Sequence, residues 1–305
     1  MIYTVTLNPA LDKAYSIKVL KPGEINKITP VRQDPGGKGL NVSKVLKALG
    51  MQSTAAAALG GETGRQIASI IESSGIDTCF VYQDCETRTN LKITDMYGVT
   101  TDINARGTKF RDEDIDELKS KLLSVAKEGD ILILAGSLPI GAPDDLYAQW
   151  IVEFKSLGVK VFLDASGSPL ETGLTAKPYF VKPTADELEI ENTFESASGA
   201  AQMLVSSGVK KVVISMGALG AVYADCDGVV IYADAIPVAP VCTTGAGDSM
   251  LAAMVYAEEK GMDPLQAMSF ATAVAAAEVM TEGTAAPDYD VIKSLLPQSK
   301  VRRVE

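Results

Sequence analysis

A glycine-rich stretch at residues 242–250, CTTGAGDSM, places the carboxylate of Asp248 beside Gly245 and Gly247. Apolar residues follow it with helical spacing, so a helix is predicted to begin here. Glycines leave the first backbone amides of a helix open, and that end of a helix attracts anions. The charge of Asp248 would repel such an anion. Asp248 therefore either caps the helix, the usual role of aspartate there, or takes part in chemistry.

A second glycine-rich segment, DPGGKGLNVS at residues 34–43, leads into a predicted helix with apolar positions 42, 45, 46 and 49. Its Lys38 and Asn41 offer hydrogen-bond donors, and its glycines permit a close approach of the backbone. The segment does not satisfy the Walker A pattern, because Lys38 is not followed by Ser or Thr. Taken alone, it is as compatible with a structural turn as with a binding loop.

Polar side chains also follow two predicted strands, in LAGSLPIG with Ser137 and in ISMGALGAVYA with Ser215. Each stretch alone is typical of a tight strand exit. On another predicted strand, Arg88, Asn90 and Lys92 alternate, so their side chains share one face. A solvated face is the ordinary interpretation, but guanidinium and ammonium donors facing a glycine-rich loop suit a phosphate.

Composition restricts the chemistry that these residues can perform. The 305 residues contain no histidine, which excludes Ser-His-Asp and Cys-His catalysis. Acid-base chemistry must then use Asp, Glu or Lys. The net charge of −11 disfavours nucleic acid or an anionic membrane as the main partner.

The absence of targeting segments and of paired cysteine motifs predicts the location of the protein and the state of its cysteines. The start of the chain lacks a basic segment followed by an apolar one, and no window is apolar enough to span a bilayer, so we expect a cytoplasmic protein. Cys79, Cys85, Cys226 and Cys242 form no CxxC pair, so they suggest neither a zinc site nor a disulfide framework. They are expected to be core thiols.

Short β-branched runs alternate with amphipathic segments through most of the chain, which is typical of parallel strands joined by crossover helices. Such sheets bind ligands beyond the carboxyl ends of their strands. Residues 13–34 and 88–107 break this rhythm with alternating polar and apolar residues, as half-buried antiparallel strands do. The prediction is a single α/β domain over 1–305, a three-layer α/β/α sandwich with a mostly parallel sheet and a small β-sheet lid formed by these two insertions.

Five motifs together resemble the ribokinase-like sugar kinases of the phosphofructokinase B type. They are TLNPALD at 6–12, GGKGLNVS at 36–43, TRTNLKI at 87–93, GSLP at 136–139 and TTGAGDSM at 243–250. They occur in the expected order across nearly the whole chain. Within that family, the sequence is most similar to the bacterial 1-phosphofructokinases, with the tagatose-6-phosphate kinases close behind.

The resemblance implies a function for most of these residues. Asp248 would be the general base, and Gly245, Ala246 and Gly247 would form an anion hole for the phosphoryl group in transfer. Sugar and sugar phosphate would be held by Asp12, Gly37, Lys38, Asn41, Arg88, Asn90 and Ser137. ATP would be bound by Lys182, Thr184, Ser215, Gly217 and Gly220, and Glu187 would hold Mg²⁺ through water.

The implied reaction is phosphorylation of a ketohexose phosphate by Mg-ATP, with D-fructose 1-phosphate as the preferred substrate and a homodimer formed through the lid. Tagatose 6-phosphate is the alternative substrate, and a catalytically silent sugar-phosphate-binding regulator is the alternative from another class. A nicotinamide oxidoreductase is disfavoured because no G-x-G-x-x-G opens the first strand-to-helix turn. Two stretches depart from the family: TADE carries Thr184 where Asn is usual, and NARGTKF at 104–110 lacks the usual Glu-Pro before its glycine.

Overall fold

The computed structural model describes residues 1–107, 109 and 111–304, so Thr108 and Phe110 of the NARGTKF stretch lie outside the described residues. Among the described residues, the strands are β1 (Ile2–Thr6), β2 (Ala10–Ser16), β3 (Thr29–Gly36), β4 (Thr54–Gly60), β5 (Asp77–Gln83), β6 (Arg88–Thr94), β7 (Thr100–Ile103), β8 (Ile131–Ala135), β9 (Lys160–Asp164), β10 (Phe180–Val181), β11 (Lys211–Ser215), β12 (Ala221–Asp225), β13 (Val230–Ala233) and β14 (Val301–Arg303). The helices are α1 (Lys38–Ala48), α2 (Gly61–Ser73), α3 (Asp112–Val125), α4 (Leu146–Ser156), α5 (Ser168–Thr175), α6 (Phe194–Ser206), α7 (Ala246–Lys260), α8 (Pro264–Val279) and α9 (Tyr289–Leu295).

The larger sheet has the strand order β14-β13-β12-β11-β10-β9-β8-β1-β4-β5 within the described chain. Neighbouring strands from β11 through β5 are parallel. The strands β12, β13 and β14 extend one edge in antiparallel pairs. This confirms the predicted α/β class with a mostly parallel sheet.

Helices cover both faces of this sheet because its central strands are apolar on both sides. In β8, Ile131 and Ile133 pack into the core that contains residues of α1, α7 and α8. Leu132 and Leu134 of the same strand pack into the opposite core, with residues of α3, α4 and α6. Strands buried on both faces are near-continuous apolar runs, which is why the sequence of β8 reads ILILA. The result is the predicted three-layer arrangement.

The smaller sheet, called the lid below, has the order β3-β2-β6-β7. It is built from the two segments that break the sequence rhythm, although its strands begin at residue 10 and extend to residue 36, beyond the predicted 13–34. The antiparallel expectation holds for β2–β3 and β6–β7. It is wrong for the central pair, because β2 and β6 come from separate segments and pair in parallel.

Two local expectations need correction. The helix predicted to follow the glycines near residue 41 begins at Lys38, so Lys38 and Asn41 both lie on α1. The expected core thiols are not buried: Cys226 is exposed in the turn after β12, and the other three cysteines are half-buried. The alanine-rich segment FATAVAAAEVM at 270–280 lies almost wholly on the mostly buried helix α8. Among the described residues, the longest and most apolar helices fall short of what a membrane crossing requires.

A half-buried ion cluster ties α7 to the sheet at the end remote from the glycine turns. Glu258 on α7 lies 2.6 Å from the Nζ atoms of both Lys160 and Lys211, and it accepts a 2.6 Å hydrogen bond from the Tyr179 hydroxyl. Burial opposes ionisation of Glu258, but these donors outweigh it and lower its pKa to about 2. The cluster anchors the helix whose other end carries Asp248.

We expect Glu258→Gln to lower the free energy of unfolding by about 2 kcal/mol near neutral pH, since hydrogen bonds to a charged group contribute about 1.5–3 kcal/mol each. Because the folded-state pKa of about 2 lies below the ordinary value of 4.5, this contribution is complete above pH 4.5 and is lost as pH falls toward 2. Urea unfolding of both proteins at neutral pH and near pH 4 measures it. The control is Glu259→Gln, at the exposed neighbour of Glu258. An equal loss of unfolding free energy in the two variants would contradict the prediction.

Candidate active site

Asp248 lies in the first turn of α7, where two glycine-rich turns meet. Gly245 caps this helix in the left-handed region, with φ 93°, which favours glycine. The Asp248 side chain is buried, and its Oδ2 accepts a 2.7 Å hydrogen bond from Nδ2 of Asn41 on α1. Asn41 and Asp248, which are 207 positions apart in the sequence, are thus in direct contact. Among the described residues, no side chain of the N-cap position caps α7, because Gly245 occupies it.

The environment of Asp248 favours its neutral form. Burial raises its pKa to about 6, and the negative charge of Asp164 adds to this shift. The hydrogen bond from Asn41 and the charges of Lys38 and Lys182 oppose it. A carboxyl group with a pKa near 6 can accept a proton at neutral pH and is a stronger base than an ordinary aspartate.

Asp164 holds two ammonium groups beside Asp248. It ends β9 and is fully buried; its two oxygens lie 2.7 Å from Lys38 Nζ and 3.0 Å from Lys182 Nζ. Burial opposes ionisation, but Lys182 and Lys38 outweigh it and hold the pKa of Asp164 below its usual range. A Cβ placed on Gly247 would lie 3.3 Å from Lys182 Nζ, so this ammonium reaches the start of α7.

Glu187 and Thr184 fix one another on the other side of Lys38. Glu187 Oε2 accepts a hydrogen bond of 2.9 Å from the Thr184 amide, and Thr184 Oγ1 accepts one of 3.0 Å from the Glu187 amide. The Glu187 Oε1 atom lies 3.6 Å from Lys38 Nζ. The carboxylates of Asp164 and Glu187 therefore face a single lysine from two sides.

A cleft of about 590 Å³ opens from the start of α7 and is mostly apolar. The resemblance assigns five residues to the nucleotide, and all of them except Lys182 line this cleft: Thr184, Ser215, Gly217 and Gly220. Ala246 and Gly247, at the start of α7, line it as well. Ile236, Val238, Pro240, Met250 and Val279 supply apolar walls. Its size suits a nucleoside, because small-molecule sites typically measure about 300–1,000 Å³.

The lid carries a second polar group on the face that lies against the main sheet. Asp12 on β2 and Asn90 on β6 are register partners, and Asn90 Nδ2 donates a 2.9 Å hydrogen bond to Asp12 Oδ1. Both side chains are buried. A Cβ on Gly36 would meet the Asp12 carboxyl at 2.8 Å, so glycine is needed there for close approach. Gly37, with φ 121°, is the residue directly before α1, and a Cβ placed on it would meet the side chain of Thr6.

Arg88 and Ser137 are joined through Asn8. The Arg88 guanidinium donates to the carbonyl of Asn8 at 2.9 Å and to that of Ala105 at 2.6 Å. The Asn8 side chain donates in turn to Ser137 Oγ at 3.1 Å. These residues lie at the carboxyl ends of β1 and β8, beside the first strand position of β6.

Lys38 is not part of that group. It was expected beside Arg88, but its Nζ contacts Asp164 and Glu187, on the same side as the nucleotide residues. Sequence reasoning also missed Asp164 and Asn8. The signal for Asp164 was present, since it is the one carboxylate at the end of the apolar strand VKVFLD, where ligands of parallel sheets bind.

Known proteins match this chain over almost its whole length. The family model "pfkB family carbohydrate kinase" matches residues 5–290. The chain belongs to the PfkB family of carbohydrate kinases. The 1-phosphofructokinase of Haemophilus influenzae is 34% identical over 309 residues, covering 100% of this chain and 99% of the relative.

Solved PfkB structures share the fold as well. Phosphofructokinase-2 from Escherichia coli in complex with substrates and products has a TM-score of 0.92 at 30% identity, covering 97% of this chain and 98% of the other. The same enzyme in complex with fructose-6-phosphate has a TM-score of 0.88 at 28% identity, with the same coverage. This PfkB chain is therefore a phosphotransferase with an alcohol group as acceptor, and its relatives support sugar-phosphate kinase activity.

The raised pKa of Asp248 predicts the acid limb of the pH profile of this PfkB chain. If Asp248 must be ionised, kcat/KM falls about tenfold per pH unit below the pKa of about 6. Asp248→Asn should lower kcat by at least about 10²-fold, the usual contribution of a general base. Steady-state rates between about pH 5 and 8 test both expectations, with the exposed Asp227→Asn as control. A folded Asp248→Asn variant with normal turnover would leave Asp248 without a catalytic role.

Proposed function

We propose that this chain transfers the γ-phosphoryl group of ATP to D-fructose 1-phosphate and so makes fructose 1,6-bisphosphate. The observation that carries the proposal is the buried Asp248, whose pKa is raised to about 6 and which lies at the start of α7 between a nucleotide-sized cleft and the polar face of the lid. Full-length similarity to 1-phosphofructokinases supports the choice of substrate.

The arrangement supports an in-line transfer. The acceptor hydroxyl oxygen forms a bond to the γ-phosphorus, while the bond from that phosphorus to the bridging oxygen breaks and ADP leaves with its electron pair. The hydroxyl proton goes to Asp248, which Asn41 orients through its 2.7 Å hydrogen bond. Backbone amides of Ala246 and Gly247 lie in the first turn of α7, where amides have no partner within the helix, and would stabilise charge on the group in transfer.

The carboxylates beside Lys38 fit a role in holding Mg²⁺. Among the described residues, no group of three or more acidic or thiol side chains could hold a metal ion by itself. Mg²⁺ does not require one, because it keeps several waters and binds through one or two carboxylates together with substrate phosphates. Glu187, with Asp164 nearby, would hold it, and the ion would neutralise charge on the phosphates of ATP.

We assign the sugar's existing phosphate to the group formed by Arg88, Ser137 and Asn8, and sugar hydroxyls to Asp12 and Asn90. Lys38 is assigned instead to the phosphoryl group in transfer, because its ammonium is held by Asp164 and Glu187 next to Asp248. Charge neutralisation on that group is the main work of a phosphoryl-transfer site. A lysine there contributes to the transition state rather than to the binding of sugar.

The second candidate substrate is fructose 6-phosphate, favoured by the similarity to Escherichia coli phosphofructokinase-2, whose structure contains it. Tagatose 6-phosphate remains a further alternative of the same chemistry. The test is coupled ADP release over fructose 1-phosphate, fructose 6-phosphate, tagatose 6-phosphate and free fructose. The highest kcat/KM with fructose 1-phosphate is expected. ADP release with none of them, together with retained sugar-phosphate binding, would favour a regulator and overturn the proposal.

We also propose that the chain is a single kinase domain that dimerises through the lid. The outer part of the lid exposes three apolar side chains, namely Val31 on β3, Val99 in the turn before β7 and Ile103 on β7. Exposed apolar patches of this kind mark interaction surfaces. A sheet that carries Asp12 and Asn90 on one face and apolar residues at its exterior can bind sugar and partner together.

Removing Arg88 should separate the two substrates kinetically. We expect Arg88→Ala to raise KM for the sugar phosphate by at least about tenfold and to change KM for ATP little, because ground-state contacts appear in KM. The exposed Arg65, which pairs with Glu62 on its own helix, gives the control Arg65→Ala. A larger effect on ATP than on sugar phosphate would reverse the orientation of the two substrates.

The departure at Thr184 should alter the requirement for Mg²⁺. A threonine hydroxyl reaches less far than an asparagine amide, and here it is already used by the Glu187 amide. We therefore expect Thr184→Asn to lower the free Mg²⁺ needed for half-maximal rate at fixed Mg-ATP. Thr193, which caps α6 in a similar way, provides the control Thr193→Asn. Identical Mg²⁺ titrations for all three proteins would show that Thr184 does not influence the metal.

A further inference from the structure

Lys92 lies on the buried face of the lid, next to the residues that we assign to sugar hydroxyls. It pairs with Ala14 across β2 and β6, two positions beyond the Asp12–Asn90 pair. Residues two apart on a strand share a face, and the ammonium of Lys92 accordingly lies 3.6 Å from Asp12 Oδ2. Only 14% of its side chain is exposed. The sequence had placed Lys92 with Arg88 and Asn90 on one strand face whose cationic donors suit a phosphate.

The Lys92 ammonium has no close ionic partner in the described part of the chain. Its two carboxylates are Asp12 at 3.6 Å and Asp102 at 3.8 Å. The other two lysines of the site are held far more tightly, with Lys38 at 2.7 Å and Lys182 at 3.0 Å from Asp164. A mostly buried cation without a tight partner carries an uncompensated desolvation cost. An anion arriving beside it would remove that cost.

The third contact of Lys92 shows where this anion would be. Its Nζ donates a 3.4 Å hydrogen bond to Oγ1 of Thr244, the residue directly before Gly245 at the start of α7. Lys182 approaches the same helix start from Gly247. Lys92 and Lys182 therefore reach the predicted anion hole from different ends of the turn, one from the lid and one from the main sheet.

We propose that Lys92 is a catalytic residue that contacts the phosphoryl group during transfer, not the phosphate already on the sugar. The inference rests on the proposed function. As the acceptor oxygen bonds to phosphorus and the bond to ADP breaks, the equatorial oxygens of the phosphoryl group carry charge that Lys38 and Lys182 meet from the main sheet and Lys92 from the lid. Transfer then requires the lid to be in place over α7.

The competing role for Lys92 is to hold Asp12 and, through it, the sugar. The two roles differ in kinetic effect. A residue that only positions Asp12 acts on sugar binding, so its loss raises KM for the sugar phosphate. A residue that contacts the group in transfer lowers kcat, while both KM values stay nearly unchanged.

The test compares Lys92→Met, Lys92→Arg and the control Lys121→Met, which removes the same charge from α3, outside the site and the lid. We expect Lys92→Met to lower kcat by about 10²- to 10³-fold, as loss of one donor to a transition-state charge does. Both KM values should change by less than about threefold. Lys92→Arg, which keeps the charge, should restore most of the loss, and Lys121→Met should behave as the unsubstituted protein.

A binding measurement checks the same point without turnover. Mg-ADP with sugar phosphate is titrated with and without tetrafluoroaluminate, a mimic of the phosphoryl group in transfer. The tightening caused by the mimic should be largely lost in Lys92→Met, while ADP and sugar phosphate separately bind as before. Should Lys92→Met not fold, Lys92→Gln takes its place in both measurements.

The outcomes separate the two proposals. If the unsubstituted protein phosphorylates none of the sugar phosphates, the proposed function fails. If it does so and Lys92→Met keeps its kcat, or shows only a raised KM for the sugar phosphate with normal response to the mimic, the inference about Lys92 is wrong.

Discussion

The candidate site depends on one buried carboxylate, Asp164, and the two ammonium groups that it holds. A fully buried aspartate is costly unless it is paired, and its distances of 2.7 Å to Lys38 and 3.0 Å to Lys182 provide that pairing. The arrangement in turn fixes two cations that the rest of the site needs. Burial, together with the negative charge of Asp164, raises the pKa of Asp248 to about 6. One interaction thereby places two ammonium groups beside Asp248 and contributes to the raised pKa of its carboxyl group.

This cluster forms because a parallel sheet brings the carboxyl ends of distant segments to one edge. Asp164 ends β9, Lys182 directly follows β10, and Ser215 ends the next strand in the sheet order. α1 and α7 start at the same edge, because Gly37 and Gly245 adopt positive φ angles of 121° and 93° that turn the chain sharply into each helix. The two helices pack against the same core and so set Asn41 against Asp248.

The charge of the whole chain and that of its site have opposite signs. The net charge of −11 would repel nucleotides and sugar phosphates at long range. Within the site, Lys38 and Lys182 are tightly paired with Asp164, whereas Lys92 lies 3.6 Å from its nearer carboxylate, Asp12. The lid contributes Lys92 with Asp12, α1 contributes Lys38, and the main sheet contributes Lys182, which directly follows β10. Positive charge is therefore concentrated locally, and both sheets contribute to it.

The sequence alone determined the alternation of strands and helices, the two lid segments, and the glycine turns around Lys38 and Asp248, because periodicity and glycine placement are local properties of a chain. It could not determine that β2 and β6 pair in parallel, since register between separate segments is set by packing. It placed Lys38 with Arg88, whereas the folded chain directs the ammonium to Asp164 and Glu187. It gave Asp248 a position at a helix start but not its pKa. That value comes from burial and from Asp164, 84 residues earlier in the chain, and only tertiary structure brings such groups together.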